Sequence, residues 1–338
     1  MPHAHNWDIF RFKERYYERV WGGRKLKALY GKPLPDKVPV GEAWLISDHP
    51  GNESVIDGGP WEGQTLQTLL AADARALLGA NARTTPAGRF PLLLKLLDAA
   101  ENLSVQVHPD DACAERLREP DVGKTEMWYV LQTEPESELI CGLKPGVERE
   151  AFRRAVASGD IERLLHRFPV HPGASVFVSA GTVHAVGAGV VLAEIQQNSD
   201  LTYRIHDWGR VGSDGQPRTL HLEKALEAID FSAATAEREA VSPPGPSDPD
   251  SPRTLLASSS HFAAEHVVCA ETYARQTRGE SFHILLAISG SLAVNAGFET
   301  HSLAPGEALL VPGLHQQYFV EGRGEFLDYY VPGAGPVL

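Results

Sequence analysis

LSVQVHP, residues 103–109, is the stretch that decides the fold. Its apolar and polar residues alternate, which is the period of a strand with one buried face. Successive side chains of a strand point to opposite faces of its sheet, so Ser104, Gln106 and His108 share one face. Pro109 has no N–H for a further ladder bond, and we expect the strand to end there. The stretch therefore predicts a sheet that carries an amide and an imidazole side by side.

The composition is that of a globular protein rich in turns. The chain has 338 residues, of which 31 are glycine and 24 are proline, and this favours many short strands over long helices. Its net charge of −13 argues against a nucleic-acid binder, which would show a basic stripe. An anionic substrate would therefore need a local group of basic side chains within an acidic protein.

Cysteine usage and the amino-terminal sequence bear on the compartment. Cys113, Cys141 and Cys269 are far apart and form no CxxC pair, so we expect reduced thiols and no thiolate zinc site. The first 20 residues are too charged for a signal peptide, and no apolar run approaches the roughly 20 residues of a membrane span. The sequence predicts a soluble, cytoplasmic protein with no membrane partner.

A proline-rich stretch, AVSPPGPSDPDSP at 240–252, predicts a linker, because it cannot hold a core element. We therefore expect a first domain over 1–240, a linker over 241–254 and a second domain over 255–338. PGASVFVS at 172–179 resembles PGEALLVP at 305–312, which favours two similar β-sandwiches or barrels.

Helical patterns are short and few. Leucines spaced over Thr65–Leu78 predict one helix that Gly79 ends, and Asp110 is expected to cap another. Val147–Ala157 and Asp160–Arg167 predict a small helical insertion in the first domain. The expected fold class is thus mainly β with a small helical insertion.

Four potential metal ligands lie on predicted strands of the first domain: Gln106, His108, Glu126 and His184. Two imidazoles, a carboxylate and an amide oxygen suit zinc or another divalent first-row metal. In a barrel, neighbouring strands aim alternate residues at a common axis, which would bring the four together. Taken singly, a residue such as His184 is more often a hydrogen-bonded turn histidine, and one such as Glu126 is usually a solvated carboxylate.

Two cations stand in unusual sequence contexts. Lys95 lies in the apolar run PLLLKLL, and Arg204 lies in the motif DLTYRIHDWGR at 200–210. Either could face an anion, since a guanidinium can bind phosphate in a bidentate manner. Taken alone, a lysine such as Lys95 more often reaches solvent at a strand end, and surface pairing with Asp200 or Asp207 is the ordinary explanation for Arg204.

In combination, these motifs resemble the type I phosphomannose isomerases of the shorter bacterial form, a cupin family. The resemblance runs in order through most of the first 210 residues and is loose beyond them. The segments that carry it are Val20–Gly23, Gly41–Trp44, Phe90–Lys95, Leu103–Asp111, Gly123–Tyr129, Ala180–Val186 and Glu194–Arg210.

The resemblance implies two cupin-type β-barrels and a zinc-dependent isomerase that interconverts mannose 6-phosphate and fructose 6-phosphate through a cis-enediolate. It implies one zinc ion per chain, a carboxy-terminal cupin-like domain without metal, and a sugar phosphate as the small-molecule partner of a monomer or homodimer. The implied metal ligands are Gln106, His108, Glu126 and His184. The implied catalytic residues are Arg204, Glu194 and Lys124, and the implied substrate-binding residues are Lys95, Trp21 and Glu42.

Two other classes of protein stay open at this point. One is another metal-dependent bicupin enzyme, such as an oxygenase, and the other is a non-catalytic sugar-binding cupin. The lysine and arginine positions favour a phosphorylated substrate, because an oxygenase pocket for an apolar substrate does not need them. The general base is not decided by the sequence: Glu194 is the first candidate, and Lys124 or a zinc-bound water is the next.

Overall fold

The computed structural model describes residues 7–212, 215–232 and 252–333, and it is mainly β, which confirms the predicted fold class. The strands, in chain order, are β1 (Phe12–Lys13), β2 (Arg15–Gly23), β3 (Val40–Ile46), β4 (Val55–Ile56), β5 (Leu92–Asp98), β6 (Val105–Val107), β7 (Glu126–Gln132), β8 (Glu138–Leu143), β9 (Leu165–Pro169), β10 (Ser175–Val178), β11 (His184–Val186), β12 (Val191–Gln197), β13 (Tyr203–His206), β14 (Arg253–Ser258), β15 (Ala263–Cys269), β16 (Thr272–Gln276), β17 (His283–Asn295), β18 (Thr300–Leu303), β19 (Ala308–Val311) and β20 (Gln317–Tyr330). The helices are α1 (Lys25–Tyr30), α2 (Leu66–Ala72), α3 (Ala74–Leu78), α4 (Asp111–Arg116), α5 (Arg149–Ser158) and α6 (Leu222–Ala228), with a 3₁₀ helix at Ile161–Leu164.

Contacts divide the chain into two compact units. The first unit consists of Tyr16–Ala43 and Lys95–Ser242, and the second unit consists of Met1–Arg15, Trp44–Leu94 and Pro243–Leu338. Two amino-terminal segments therefore group with the carboxy-terminal residues. The sequential division at a linker over 241–254 stays a prediction, because residues 233–251 lie outside the described part of the chain.

Two sheets build the framework of the first unit. One has the strand order β10-β7-β12-β5-β3-β2, and the other has the order β13-β6-β11-β8-β9. Trp128 and Val176 of the former share one buried apolar core with Leu139 and Val186 of the latter. Because apolar residues from both sheets meet in this core, the two sheets pack face to face as a sandwich.

The opposite face of the five-stranded sheet is covered by the helical insertion. Val105 and Val107 of β6 lie in one cluster with Phe152 of α5, Ile161 of the 3₁₀ helix and Leu226 of α6. The valines therefore point away from the sandwich interior, and the residues that alternate with them point into it.

The two predicted helices of the insertion have different outcomes. The helix expected over 147–157 is confirmed as α5. The helix expected over 160–167 is wrong: a 3₁₀ turn leads into β9, where Phe168 pairs with Leu139 of β8. The pairing of β9 with β8 outweighs the local helical preference of this segment.

The second unit contains the sheet β14-β15-β20-β17-β18, with β16 also paired to β20 and β19 to β17. Its core includes Val267, Leu285, Tyr318 and Phe326. The predicted repeat is confirmed at the level of its elements, because β10 in the first unit and β19 in the second both follow a Pro-Gly turn. Across the described residues, helices are too short or too polar to cross a membrane.

Candidate metal centre and cavity

Three predicted site residues form a row across the five-stranded sheet. Arg204 of β13 is in register with Gln106 of β6, and Gln106 is in register with His184 of β11. Residues in register share a face of the sheet, and on β6 this face is opposite to the one that Val105 and Val107 place against the helices. The row therefore points into the sandwich.

The facing sheet contributes the carboxylates and a lysine. Glu126 and Trp128 are two positions apart on β7, so they share a face of the sheet. Trp128 is in register with Glu194 of β12 and is buried in the sandwich core. Lys95 lies on β5, which is the neighbour of β12. The period of two on each strand thus puts Glu126, Glu194 and Lys95 opposite the row of the other sheet.

His108, Glu126 and His184 form a buried ligand group. Nε2 of His108 lies 3.5 Å from Oε2 of Glu126, and Nε2 of His184 lies 3.5 Å from Oε1 of the same carboxylate. One ligand atom from each of the three residues lies within 4.8 Å of the others. The side chain of Gln106 lies beside this group through its amide nitrogen, which is 3.3 Å from Nε2 of His184. Its amide oxygen, the predicted ligand atom, accepts a hydrogen bond from Ser104 at 3.3 Å.

Backbone carbonyls orient both imidazoles. Nδ1 of His108 lies 2.7 Å from the carbonyl oxygen of Leu201, and Nδ1 of His184 lies 2.8 Å from that of Thr182. A ring that donates through Nδ1 presents the lone pair of Nε2 on its other side. The Nε2 of His108 lies 3.2 Å from Lys124 Nζ, which can donate to it. Burial lowers the pKa of His108 to about 3 and also lowers the pKa of His184, so both rings are neutral, as metal ligands must be.

The Glu126 carboxylate carries a buried negative charge that suits a cation. Burial alone would raise its pKa, but the positive charge of Lys124 and the contact with His108 hold the pKa well below its usual range. Lys124 Nζ lies 2.8 Å from Oε2. Neither oxygen has a hydrogen-bond partner of good geometry within the described residues. Two neutral imidazoles beside an ionised carboxylate with unsatisfied oxygens fit a divalent metal ion.

Glu194 is the second buried carboxylate of the cavity. Its Oε1 accepts a hydrogen bond from Lys95 Nζ at 3.2 Å, and its Oε2 accepts one from Trp128 Nε1 at 3.2 Å. Burial raises the pKa of Glu194, and the charge of Glu126 raises it further, against the opposing effect of the lysines. A carboxyl group with a raised pKa binds a proton at higher pH than an exposed glutamate does, which suits a proton-transfer group.

A cavity of about 560 Å³ opens above this group in the first unit. Its volume is in the range of small-molecule sites. The wall contains seven of the ten predicted site residues. His108, Glu126 and His184 do not line the cavity, but they contact Gln106 and Lys124 of its wall. The seven are Trp21, Glu42, Lys95, Gln106, Lys124, Glu194 and Arg204.

Arg204 supplies a partly satisfied guanidinium to the cavity wall. One terminal nitrogen donates to the carbonyl of Thr219 at 3.0 Å, whereas Nε is buried with no hydrogen-bond partner in the described ranges. Burial and the neighbouring charge of Arg218 lower its pKa. Arg218 lines the same cavity, where Asp207 holds its guanidinium through Nε at 2.7 Å. An anion at this wall would meet two positively charged groups.

Two arginines of the cavity wall, Arg218 and Arg19, were not predicted from the sequence, and Arg19 lines the cavity beside Glu42. Arg19 donates to both oxygens of Glu42, at 2.9 and 3.0 Å, so the predicted substrate-binding carboxylate is part of an ion pair. Neither arginine stands in an apolar run, which was the signal that drew attention to Lys95. Arg19 lies near Glu42 because β2 and β3 are neighbours in the sheet.

A sandwich with a buried His-Glu-His group next to a charged cavity defines a cupin-type protein with a candidate metal site. The sequence model of the protein family described as phosphomannose isomerase type I, catalytic domain, matches residues 9–142 of this chain. A mannose-6-phosphate isomerase of Streptococcus mutans is 32% identical over 315 residues, which is 93% of this chain and 96% of that protein. The chain belongs to the type I phosphomannose isomerase family.

Two further relatives agree with this assignment. A probable mannose-6-phosphate isomerase of Bacillus subtilis is 43% identical over 215 residues, covering 63% of this chain and 66% of that protein. The crystal structure of the mannose 6-phosphate isomerase from Bacillus subtilis superimposes with a TM-score of 0.84 at 30% identity, over 96% of this chain and 99% of that one. The resemblance noted in the sequence is therefore confirmed.

Proposed function

We propose that this protein is a mannose-6-phosphate isomerase, which interconverts mannose 6-phosphate and fructose 6-phosphate. The observation that carries the proposal is the buried group of His108, Glu126 and His184, which contacts the wall of the cavity that Glu194 and Arg204 line. The reaction moves a proton between C2 and C1 through a cis-enediolate. It requires an electrophile for the developing oxyanion, a proton-transfer group and a positive charge for the phosphate.

Gln106, His108, Glu126 and His184 would hold one zinc ion. The preset Nε2 lone pairs and the unsatisfied oxygens of Glu126 support this choice of ligands. Zinc in this position would supply a Lewis acid that stabilises negative charge on the sugar oxygens. Lys124, within 2.8 Å of Glu126, places a second positive charge beside the same group.

Metal removal tests the proposal directly. A coupled assay with mannose 6-phosphate should show turnover that EDTA abolishes and added zinc restores. His108→Ala should lose bound zinc and activity together, because it removes one of the imidazole ligands. A chain that retains zinc after this substitution, by elemental analysis, would contradict the ligand assignment. A zinc-loaded wild-type chain with no isomerase activity would overturn the function.

Glu194 is the proposed group that carries the proton between C2 and C1. It is buried at the cavity wall, and its raised pKa places it nearer the working pH than an exposed glutamate. Glu194→Gln should lower kcat by about 10²–10⁴-fold, the usual contribution of general acid–base catalysis. The measurement is the exchange of the C2 proton with deuterated solvent. Unchanged exchange would exclude Glu194 and leave Lys124 as the next candidate.

The phosphate end of the substrate is assigned to the positively charged wall formed by Arg204 and Arg218. The unpartnered Nε of Arg204 and the closeness of the two guanidinium groups support this orientation. Lys95, Trp21 and Glu42 would bound the sugar on the remaining wall. A cytoplasmic location and a monomeric or homodimeric state stay predictions from the sequence.

A further inference from the structure

A second group of potential metal ligands lies in the second unit. Asp8, Glu299 and His301 each bring one ligand atom within 4.8 Å of the others. Asp8 precedes β1, and the other two residues lie at the turn between β17 and β18 and within β18. The group therefore joins two segments that are 291 positions apart in the chain.

The carboxylate of Asp8 is held in place by the backbone. Its Oδ1 accepts a hydrogen bond from the N–H of Ile9 at 2.8 Å, and its Oδ2 accepts one from the N–H of Glu299 at 3.1 Å. Nε2 of His301 lies 3.7 Å from Oδ2. This orientation of a ligand by hydrogen bonds from neighbouring groups is common at metal sites.

His301 presents a nitrogen that the surrounding residues do not satisfy. The side chain of His301 is 22% exposed, but its Nε2 is turned away from solvent and has no hydrogen-bond partner in the part of the chain that the structure describes. A buried nitrogen without a partner is unfavourable, and beside two carboxylates it is a ready ligand for a cation. This orphaned atom is an observation independent of the clustering of acidic side chains.

The three residues share the wall of a cavity of about 210 Å³. Asp57 lies on the same wall, so three carboxylates border the space. Arg11 also lines it, but its guanidinium forms an ion pair with Glu307 at 2.8 Å. The cavity has room for an ion with water molecules, and the charge around it favours a cation.

We propose that Asp8, Glu299 and His301 bind a divalent first-row transition ion, with zinc as the test case. An imidazole nitrogen beside two carboxylates suits such an ion better than calcium or magnesium, which prefer oxygen ligands alone. The ion would connect the amino-terminal segment to the β17–β18 hairpin. This site is separate from the interior ligand group and does not depend on the proposed activity. The sequence predicted one ion per chain. A second site was not predicted, because its ligands form no local motif.

Calorimetric titration of the full chain with zinc, after EDTA treatment and dialysis, tests the proposal. We expect two binding events in the wild-type chain. His301→Ala should abolish one event and leave the other, whereas His108→Ala should do the reverse. His171→Ala, which removes an exposed histidine of the first unit, should leave both events unchanged. The two histidine variants separate failure of this site from failure of the interior one.

A single event in the wild-type chain that His108→Ala removes would overturn the proposal, as would two events that survive His301→Ala. Glu299→Gln provides a second variant, since it removes a charge at an exposed position with little risk to folding. It should weaken the same event that His301→Ala abolishes. Circular dichroism of both variants confirms that the fold is retained.

Discussion

At the residue scale, the state of Glu194 depends on which neighbours donate to it. Trp128 Nε1 and Lys95 Nζ each donate to one of its oxygens at 3.2 Å, and both hydrogen bonds stabilise the ionised carboxylate. Burial and the charge of Glu126 act in the opposite direction and raise the pKa. The balance of these effects sets the pH at which Glu194 can accept a proton.

Trp128→Phe is expected to raise the pKa of Glu194 further, because it removes a donor to the charged form while preserving an aromatic ring in the core. The acidic limb of the kcat profile should move to higher pH, and zinc content should not change. Trp208→Phe is the matched control, since the indole of Trp208 donates to the carbonyl of Leu103 instead. Identical acidic limbs in the wild type and Trp128→Phe would count against the positioning role of Trp128.

Glu194 was the first candidate for the base from the sequence, but the sequence could not decide between it and Lys124 or a zinc-bound water. The spacing of residues along β12 predicts which face Glu194 occupies, and nothing along the chain indicates which donors it will meet. Lys95 is 99 positions away from it and Trp128 is 66. The raised pKa is therefore a property of the packed sandwich.

At the scale of elements, capping residues explain one success and one failure of the predicted helices. Asp110 caps α4 as expected, because its side chain accepts a hydrogen bond from the N–H of Cys113 at 2.7 Å. The single helix expected over 65–78 is wrong. Asp73 adopts an extended conformation and caps α3 through Ala76, which separates α3 from α2.

Asp110→Ala should lower the free energy of unfolding by about 1 kcal/mol, because it removes the acceptor at the start of α4. Asp110→Asn is the matched control, since it keeps an oxygen acceptor and should stay close to the wild type. Urea denaturation followed by circular dichroism measures both variants. Equal losses for alanine and asparagine would show that charge, and not capping, is what Asp110 contributes.

At the scale of the whole molecule, a predominantly apolar sandwich encloses a polar group at one end of its interior. His108 and His184 are buried and neutral, and Glu126 is ionised beside them. Such a group favours a bound cation and resists protonation of the histidines. Loss of the metal should therefore make stability sensitive to acid.

The metal-free chain should lose stability as the pH falls below 6.5. The pKa of His108 is about 3 in the folded chain and 6.5 ordinarily, so the unfolded chain binds a proton that the folded chain does not. The contribution is fully present above pH 6.5 and is lost towards pH 3, by about 1.4 kcal/mol per pH unit. Thermal denaturation after EDTA treatment, at pH 7 and at about pH 5, measures it.

His108→Gln provides the comparison for this experiment, because it removes the titrating imidazole and leaves His184 in place. Its stability should fall less steeply with acid than that of the metal-free wild type. Parallel slopes for the two chains would show that the acid sensitivity arises elsewhere.

The sequence by itself determined the strand alternation that exposes Gln106 and His108 on one face, the mainly β class and the family. These depend on local periods and motifs, which side-chain direction along a strand sets without reference to the rest of the chain. Only the tertiary structure decided that His184 and Arg204 line up with Gln106, that Arg218 joins the cavity, and that Asp8 meets His301. These contacts join residues that are far apart in the sequence. They depend on strand register and on the packing of distant segments, which no local pattern encodes.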